Sequence, residues 1–129
     1  MKNIIITILL VFSLNVVLGQ NNRQKEIQTN SRLALSFYNA KDYEKAAPLL
    51  LEVYKLSRNN YYFRMYLTSL IELERYGDAE NQLQKEIDKQ NTPRAEFQVY
   101  WGYLLKAQEK NEEAEEKYAK AIEMVNSNK

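Results

Sequence analysis

Residues 33–53 read LALSFYNAKDYEKAAPLLLEV, and the same arrangement of apolar and small residues returns twice further along the chain. Residues 66–86 read YLTSLIELERYGDAENQLQKE, and residues 101–121 read WGYLLKAQEKNEEAEEKYAKA. Within each stretch apolar residues recur three and four positions apart, which is the period of a helix, and no run alternates as a strand would. An alanine occupies the fourteenth position of all three stretches: Ala46, Ala79 and Ala114. The sequence therefore predicts three helix–turn–helix units in register.

These units resemble the tetratricopeptide repeat (TPR), a family whose 34-residue unit is a helix–turn–helix. The resemblance covers about residues 27–126. It depends on three motifs with a constant internal spacing: Leu33-Ala34-x2-Phe37 with Tyr43-x2-Ala46-x3-Leu50, Tyr66-Leu67-x2-Leu70 with Tyr76-x2-Ala79-x3-Leu83, and Trp101-Gly102-x2-Leu105 with Asn111-x2-Ala114-x3-Tyr118. It implies an all-α fold, an α-solenoid of three repeats that coils into a right-handed superhelix. The repeats are expected at about 27–59, 60–92 and 94–127, within a domain spanning 20–129.

The same pattern predicts the individual helices and some of their ends. Asp42 is suited to N-cap the second helix, and Thr92 followed by Pro93 is suited to begin the fifth. Gly102 provides the glycine that the family favours in the first helix, whereas Ala34 and Leu67 stand in its place in the other two units. Glu86 replaces a small residue in the second unit, and Asn111 replaces the turn aromatic in the third. The six expected helices span about 24–39, 43–57, 60–74, 76–90, 94–108 and 111–126.

Residues 1–19 read MKNIIITILLVFSLNVVLG and have a different character from the rest. Lys2 precedes an apolar run from Ile4 to Leu18, which Gly19 and a polar stretch end, as in a secretory signal peptide. The run is shorter than the roughly 20 residues that span a bilayer as a helix. We therefore expect cleavage before Gln20 and export to the periplasm or the extracellular space of a bacterium, with no stable membrane insertion of the mature chain.

The composition excludes several kinds of chemistry. The 129 residues contain no cysteine and no histidine, so thiolate nucleophiles, imidazole bases, disulfides and Cys/His metal sites are impossible. The 18 basic and 17 acidic residues nearly balance, which argues against nucleic-acid binding. The acidic cluster between Glu109 and Glu123 is interleaved with lysines, which indicates a solvated helix face with pairs such as Glu113–Lys117 and Glu116–Lys120. We expect no enzyme activity, no cofactor and no metal.

The family resemblance implies a concave groove, lined by the first helix of each repeat, in which a peptide or a partner helix lies. Its expected residues share one face of each first helix or flank that face: Leu35, Tyr38, Tyr61, Arg64, Thr68, Ile71, Val99, Tyr103 and Lys106. Tyrosines offer contact area with a polar tip, and arginine binds carboxylates in a forked geometry. The strip therefore fits a peptide with an apolar anchor and a carboxylate.

Two functions remain open at this stage. The first is an exported protein–protein interaction module that binds a peptide or a partner protein in the groove as a monomer. The alternative is an assembly subunit that self-associates, as a homodimer for example, or forms the N-terminal part of a larger repeat array. The final helix bears on this choice. Its apolar stripe, which includes Ile122 and Val125, is expected to face the interior, and Met124 is expected to face outward.

Overall fold

The computed structural model describes residues 19–127 of the chain. The expected signal peptide thus lies almost wholly outside the described residues, and its cleavage stays a prediction. The described part of the chain is all helical, with six helices and no strand, so the predicted all-α class is confirmed there. The helices are α1 (Lys2–Asn39, described from Gly19 onward), α2 (Tyr43–Ser57), α3 (Asn60–Glu72), α4 (Tyr76–Asp88), α5 (Ala95–Ala107) and α6 (Asn111–Ser127).

The helix ends agree with the expected ones to within two residues, apart from the start of α1. Within the described residues α1 is already helical at Gly19, ahead of the predicted start near residue 24. The polar stretch after Gly19 contains no proline, and its Gln and Arg residues are good helix formers. The predicted N-cap of the fifth helix at Thr92 was wrong, because Thr92 and Pro93 lie in the preceding loop and Arg94 is the N-cap. The predicted N-cap at Asp42 is confirmed, since its carboxylate accepts a hydrogen bond from the Lys45 N–H.

Three turns with the same geometry join α1 to α2, α3 to α4 and α5 to α6. Each turn contains one non-glycine residue in the left-handed region: Lys41 at φ 59°, Glu74 at φ 56° and Glu109 at φ 62°. The next residue donates its N–H to the carbonyl oxygen five positions earlier, which satisfies a free carbonyl at the end of the first helix. These bonds are Asp42 to Phe37 (2.9 Å), Arg75 to Leu70 (2.8 Å) and Lys110 to Leu105 (3.0 Å). Three equivalent turns therefore follow one another at intervals of 33 and 35 residues, although α3 and α4 pack less closely against each other than the helices of the other two hairpins.

The hairpins pack through successive helices, with α2 between α1 and α3 and with α5 in contact with α3, α4 and α6. Contacts on two sides fit the composition of α2, which is apolar almost all round between Ala46 and Leu56. An aromatic cluster connects the hairpins. The ring of Phe63 lies 4.8 Å from that of Tyr54 on α2, 5.9 Å from that of Phe97 on α5 and 6.0 Å from that of Tyr100. Aromatic contacts of this kind add stability beyond the area they bury.

Gly102 marks the close crossing of α5 and α6. It is buried, and a Cβ at this position would come within 2.8 Å of Cδ1 and 2.9 Å of Cζ of Tyr118. The equivalent positions in the first hairpin hold Ala34 and Leu50, both fully buried. The first and third hairpins thus align a small residue on the first helix with a larger one on the second helix, whereas the second hairpin has Leu67 and Leu83 at these positions.

The contacts of Glu86 explain why a carboxylate is tolerated at this buried position of the repeat pattern. Only 2% of its surface is exposed, and its carboxylate accepts hydrogen bonds from Tyr54 Oη (2.8 Å) and Lys89 Nζ (2.7 Å). The Arg58 guanidinium lies 3.8 Å from the same carboxylate and 5.2 Å from the centre of the Tyr54 ring. Burial alone would raise the pKa of Glu86, yet hydrogen bonds from Lys89 and Tyr54 and the nearby positive charges lower it. The buried charge joins the first hairpin to the second.

Candidate functional site

A cavity of about 830 Å³ lies among α1, α3, α5 and α6. We call it the tyrosine cavity, because five of the eleven described residues that line it are tyrosines. Its lining consists of Tyr38, Asn39, Asn60, Tyr61, Arg64, Met65, Thr68, Val99, Tyr100, Tyr103 and Tyr118. The volume falls in the range of pockets that hold small ligands or the side chains of a peptide.

The structure brings most of the predicted groove residues together. Tyr38, Tyr61, Arg64, Thr68, Val99 and Tyr103 all line the tyrosine cavity. The other three lie elsewhere. Ile71 is buried at 8% exposure, Leu35 packs against the core, and Lys106 is exposed on α5 away from the cavity lining. Ile71 is drawn inward because α3 is covered by neighbours on several sides, which one-face helical spacing does not reveal.

Five lining residues were not predicted: Asn39, Asn60, Met65, Tyr100 and Tyr118. A signal existed for Asn60, which precedes Arg64 by four residues and so shares its helix face. No such signal existed for Tyr118. It belongs to the second helix of a hairpin, outside the first-helix faces on which the groove was predicted, and its ring reaches the cavity by crossing Gly102.

Arg64 is the one charged side chain among the described residues that line the cavity. It is exposed, and its guanidinium lies 5.8 Å from the centre of the Tyr61 ring. Within residues 19–127 no carboxylate forms an ion pair with it, although other arginines such as Arg75 and Arg94 do have such partners. The guanidinium is therefore available to bind an incoming carboxylate.

The tyrosines contribute neutral hydroxyls around this one positive charge. Burial raises the pKa of Tyr38, Tyr100 and Tyr118 above the usual value of 10.0, so these phenols stay protonated at neutral pH. A hydrogen bond with Thr68 opposes the effect of burial on Tyr38. The arrangement offers flat apolar surface, several neutral hydrogen-bonding groups and one fixed cation. It contains no nucleophile activated by a neighbouring base among the described residues.

A second, smaller cavity of about 470 Å³ adjoins the first and shares Val99 and Tyr118 with it. We call it the C-terminal trough. Its described lining consists of Ala95, Glu96, Val99, Tyr118, Ala121, Ile122, Val125 and Asn126. The prediction that Met124 faces outward while Ile122 and Val125 face the interior was wrong. Met124 is half-buried, whereas Ile122 and Val125 are 63% and 53% exposed.

The acidic face of α6 differs in detail from the prediction. Among the described residues no ion pair joins Glu113 to Lys117 or Glu116 to Lys120, and the Lys117 ammonium instead lies 5.4 Å from the Trp101 ring centre. Over the described range no group of three or more carboxylates is placed to hold a metal ion. In that same range no helix is both long enough and apolar enough to cross a membrane.

Comparison of the chain with family models, with curated proteins and with solved structures finds no match. The site must therefore be interpreted from its own geometry.

Proposed function

We propose that this chain is an exported protein–protein interaction module of the TPR type, which binds a peptide segment of a partner protein in the tyrosine cavity. Three turns of the same geometry at intervals of 33 and 35 residues support the repeat assignment. The binding proposal depends on one observation about Arg64. This residue is exposed, has no carboxylate partner among the described residues and lines the cavity together with five tyrosines.

The side chains that line the tyrosine cavity indicate which residues a bound peptide should carry. Tyrosine rings bury apolar or aromatic side chains at a small entropic cost and retain a hydroxyl for the peptide backbone. The Arg64 guanidinium would pair with a carboxylate, from an acidic side chain or a chain terminus. The proposed ligand is therefore an extended or helical segment with one large apolar residue close to one carboxylate.

Site-specific photo-crosslinking in cells that produce the protein tests this proposal. A photoreactive phenylalanine analogue at Tyr103, in the cavity, is expected to trap a discrete partner. The same analogue at Lys85, an exposed residue of α4 that does not line the cavity, is the matched control and is expected to trap none.

A second arm tests the residues themselves. Arg64→Ala combined with Tyr103→Ala should abolish the crosslink formed from an analogue at Tyr61, while the helical circular dichroism signal persists because Arg64 and Tyr103 are exposed. A crosslink from Lys85 that survives the double substitution would place binding on another face and overturn the proposal.

A further inference from the structure

The C-terminal trough occupies positions that the first two hairpins use for packing. Counted from the turns, Ile122 is equivalent to Tyr54 of α2 and Ile87 of α4. Tyr54 is only 3% exposed and Ile87 is half-buried, whereas Ile122 is 63% exposed. On the first two hairpins a neighbouring helix covers this surface. On the third hairpin the equivalent surface is the C-terminal trough, which is exposed in the described part of the chain.

The two covered instances show what fits this surface. On the first hairpin the occupant is α3, whose Phe63 ring lies 4.8 Å from the Tyr54 ring. On the second hairpin the occupant is α5, which contacts both α3 and α4 and donates a hydrogen bond from Gln108 to Glu80 (2.9 Å). Both occupants are helices with aromatic residues on the packed side. If the third hairpin packs in the same way as the first two, the occupant of the C-terminal trough is therefore a helix.

The charges beside the C-terminal trough indicate which charges a partner helix should carry. Glu115 lies one turn before Tyr118 and acts electrostatically on its hydroxyl, and Glu123 follows Ile122 directly. Neither carboxylate forms an ion pair within the described residues. Glu96 also lines the trough, but Arg94 and Asn60 already bind its carboxylate. The trough is thus apolar along its floor and acidic along its α6 edge.

We propose that the C-terminal trough docks an amphipathic α-helix of a partner protein, with a bulky apolar stripe flanked by lysine or arginine. The trough adjoins the tyrosine cavity and shares Val99 and Tyr118 with it, but its occupant is distinct from the peptide proposed for that cavity. Head-to-tail stacking of a second copy is a poorer fit, because α1 has Thr29 and Asn30 at the positions equivalent to the aromatic residues Tyr62 and Phe63 of α3. Leu33 is the one exposed large apolar residue on the described part of α1. Covering Ile122 and Val125 with such a helix removes exposed apolar surface, the driving force in the two internal instances.

A synthetic peptide provides the probe. It comprises residues 58–75 of this chain, which contain α3, with Glu72→Lys and Glu74→Lys so that the aromatic stripe has basic flanks. Fluorescence anisotropy of the labelled peptide against the full chain should show saturable binding. Ile122→Glu and Val125→Glu should each weaken binding at least tenfold, and both side chains are exposed enough for the fold to persist, as circular dichroism would verify.

Two controls separate this site from the tyrosine cavity. Lys120→Glu places a glutamate at an exposed position on the far side of α6. It makes the chain more acidic by two charges, against one for Ile122→Glu, and should still leave peptide affinity unchanged. Arg64→Ala with Tyr103→Ala should also leave it unchanged. The proposal is overturned by absence of peptide binding, by equal binding to the Ile122→Glu variant, or by light scattering that shows a wild-type dimer which Ile122→Glu dissociates. The last result would identify a second copy as the occupant.

Discussion

At the scale of the residue, Glu86 is the side chain whose environment differs most from its usual one. A carboxylate this deeply buried is tolerated only when its charge is compensated, which Lys89, Tyr54 and Arg58 do together. Its lowered pKa means that the ionised form is favoured by folding. This contribution to the free energy of unfolding is present above the unfolded pKa near 4.5 and is lost as the pH falls through the lower, folded pKa.

We therefore expect Glu86→Gln to lower the free energy of unfolding at pH 7 by about 1.5–3 kcal/mol, the range for hydrogen bonds to charged groups. The variant should also lose part of the wild-type decline in stability between pH 5 and pH 3. Urea denaturation at several pH values measures both effects. Glu123→Gln, at an exposed position, is the matched control and should change neither. A Glu86→Gln protein with the wild-type pH profile would contradict this account.

Tyr54 should affect the free energy of unfolding at alkaline pH, whereas Glu86 affects it at acidic pH. Burial is the main cause that raises the pKa of Tyr54 to about 12, and the hydrogen bond with the Glu86 carboxylate and its negative charge raise this pKa further. Because the folded state holds this proton more tightly than the unfolded state, the associated stability is present below pH 10 and is lost as the pH rises towards 12. Tyr54→Phe should reduce the alkaline decline without removing it, since burial also raises the pKa of Tyr38, Tyr66 and Tyr100.

At the scale of the element, the three hairpin turns share one conformational cost. Lys41, Glu74 and Glu109 each adopt a left-handed backbone conformation, which costs residues with a Cβ roughly 1–2 kcal/mol. Glycine is the usual residue at this place after a helix because it avoids that cost. The repeated geometry thus comes from the helix-ending hydrogen bonds and not from a glycine signal in the sequence.

Replacing any one of these three residues with glycine should raise the free energy of unfolding by roughly 0.5–1 kcal/mol, the net of relieved strain and the greater flexibility of unfolded glycine. Thermal denaturation followed by circular dichroism measures the gain. Glu116→Gly, in the regular part of α6, is the control and should instead cost about 1 kcal/mol. Equal destabilisation at Glu74 and Glu116 would show that the left-handed turn carries no strain.

At the scale of the whole molecule, the hairpins are joined by the aromatic cluster around Phe63 and by the buried Glu86 network. The expected signal peptide precedes this unit and lies outside the described residues apart from Gly19. Leu9→Arg with Leu10→Arg would interrupt the apolar run that the export machinery recognises, so the protein should stay in the cytoplasm at full length.

Cell fractionation and mass spectrometry of the N-terminus check this expectation, because the wild-type chain should be recovered outside the cytoplasm and begin at Gln20. Leu9→Ile with Leu10→Ile preserves the apolar run and should be exported normally. A shortened, exported Leu9→Arg, Leu10→Arg protein would show that the segment is not a signal peptide.

The sequence by itself determined the features that depend on local periodicity and on turn chemistry. The all-α class and the order of the six helices followed from spacing, and the cap at Asp42 followed from the chemistry of its side chain. Most of the tyrosine cavity's first-helix residues followed from spacing together with the groove that the family resemblance implies. These features are accessible because a helix repeats every 3.6 residues and so assigns side chains to its faces without reference to neighbours. The start of α1 was missed because polar residues without proline do not end a helix.

The tertiary structure alone decided which of those faces are covered. Ile71 and Ile122 are both isoleucines on regular helices, yet neighbouring helices bury the first and leave the second exposed. Tyr118 reaches the cavity only because Gly102 lets its ring cross α5. Glu86 has a local partner in Lys89, but its compensation in the interior also needs Tyr54 and Arg58, which come from the first hairpin and the residue after it. Burial depends on partners distant in sequence, which local periodicity does not specify.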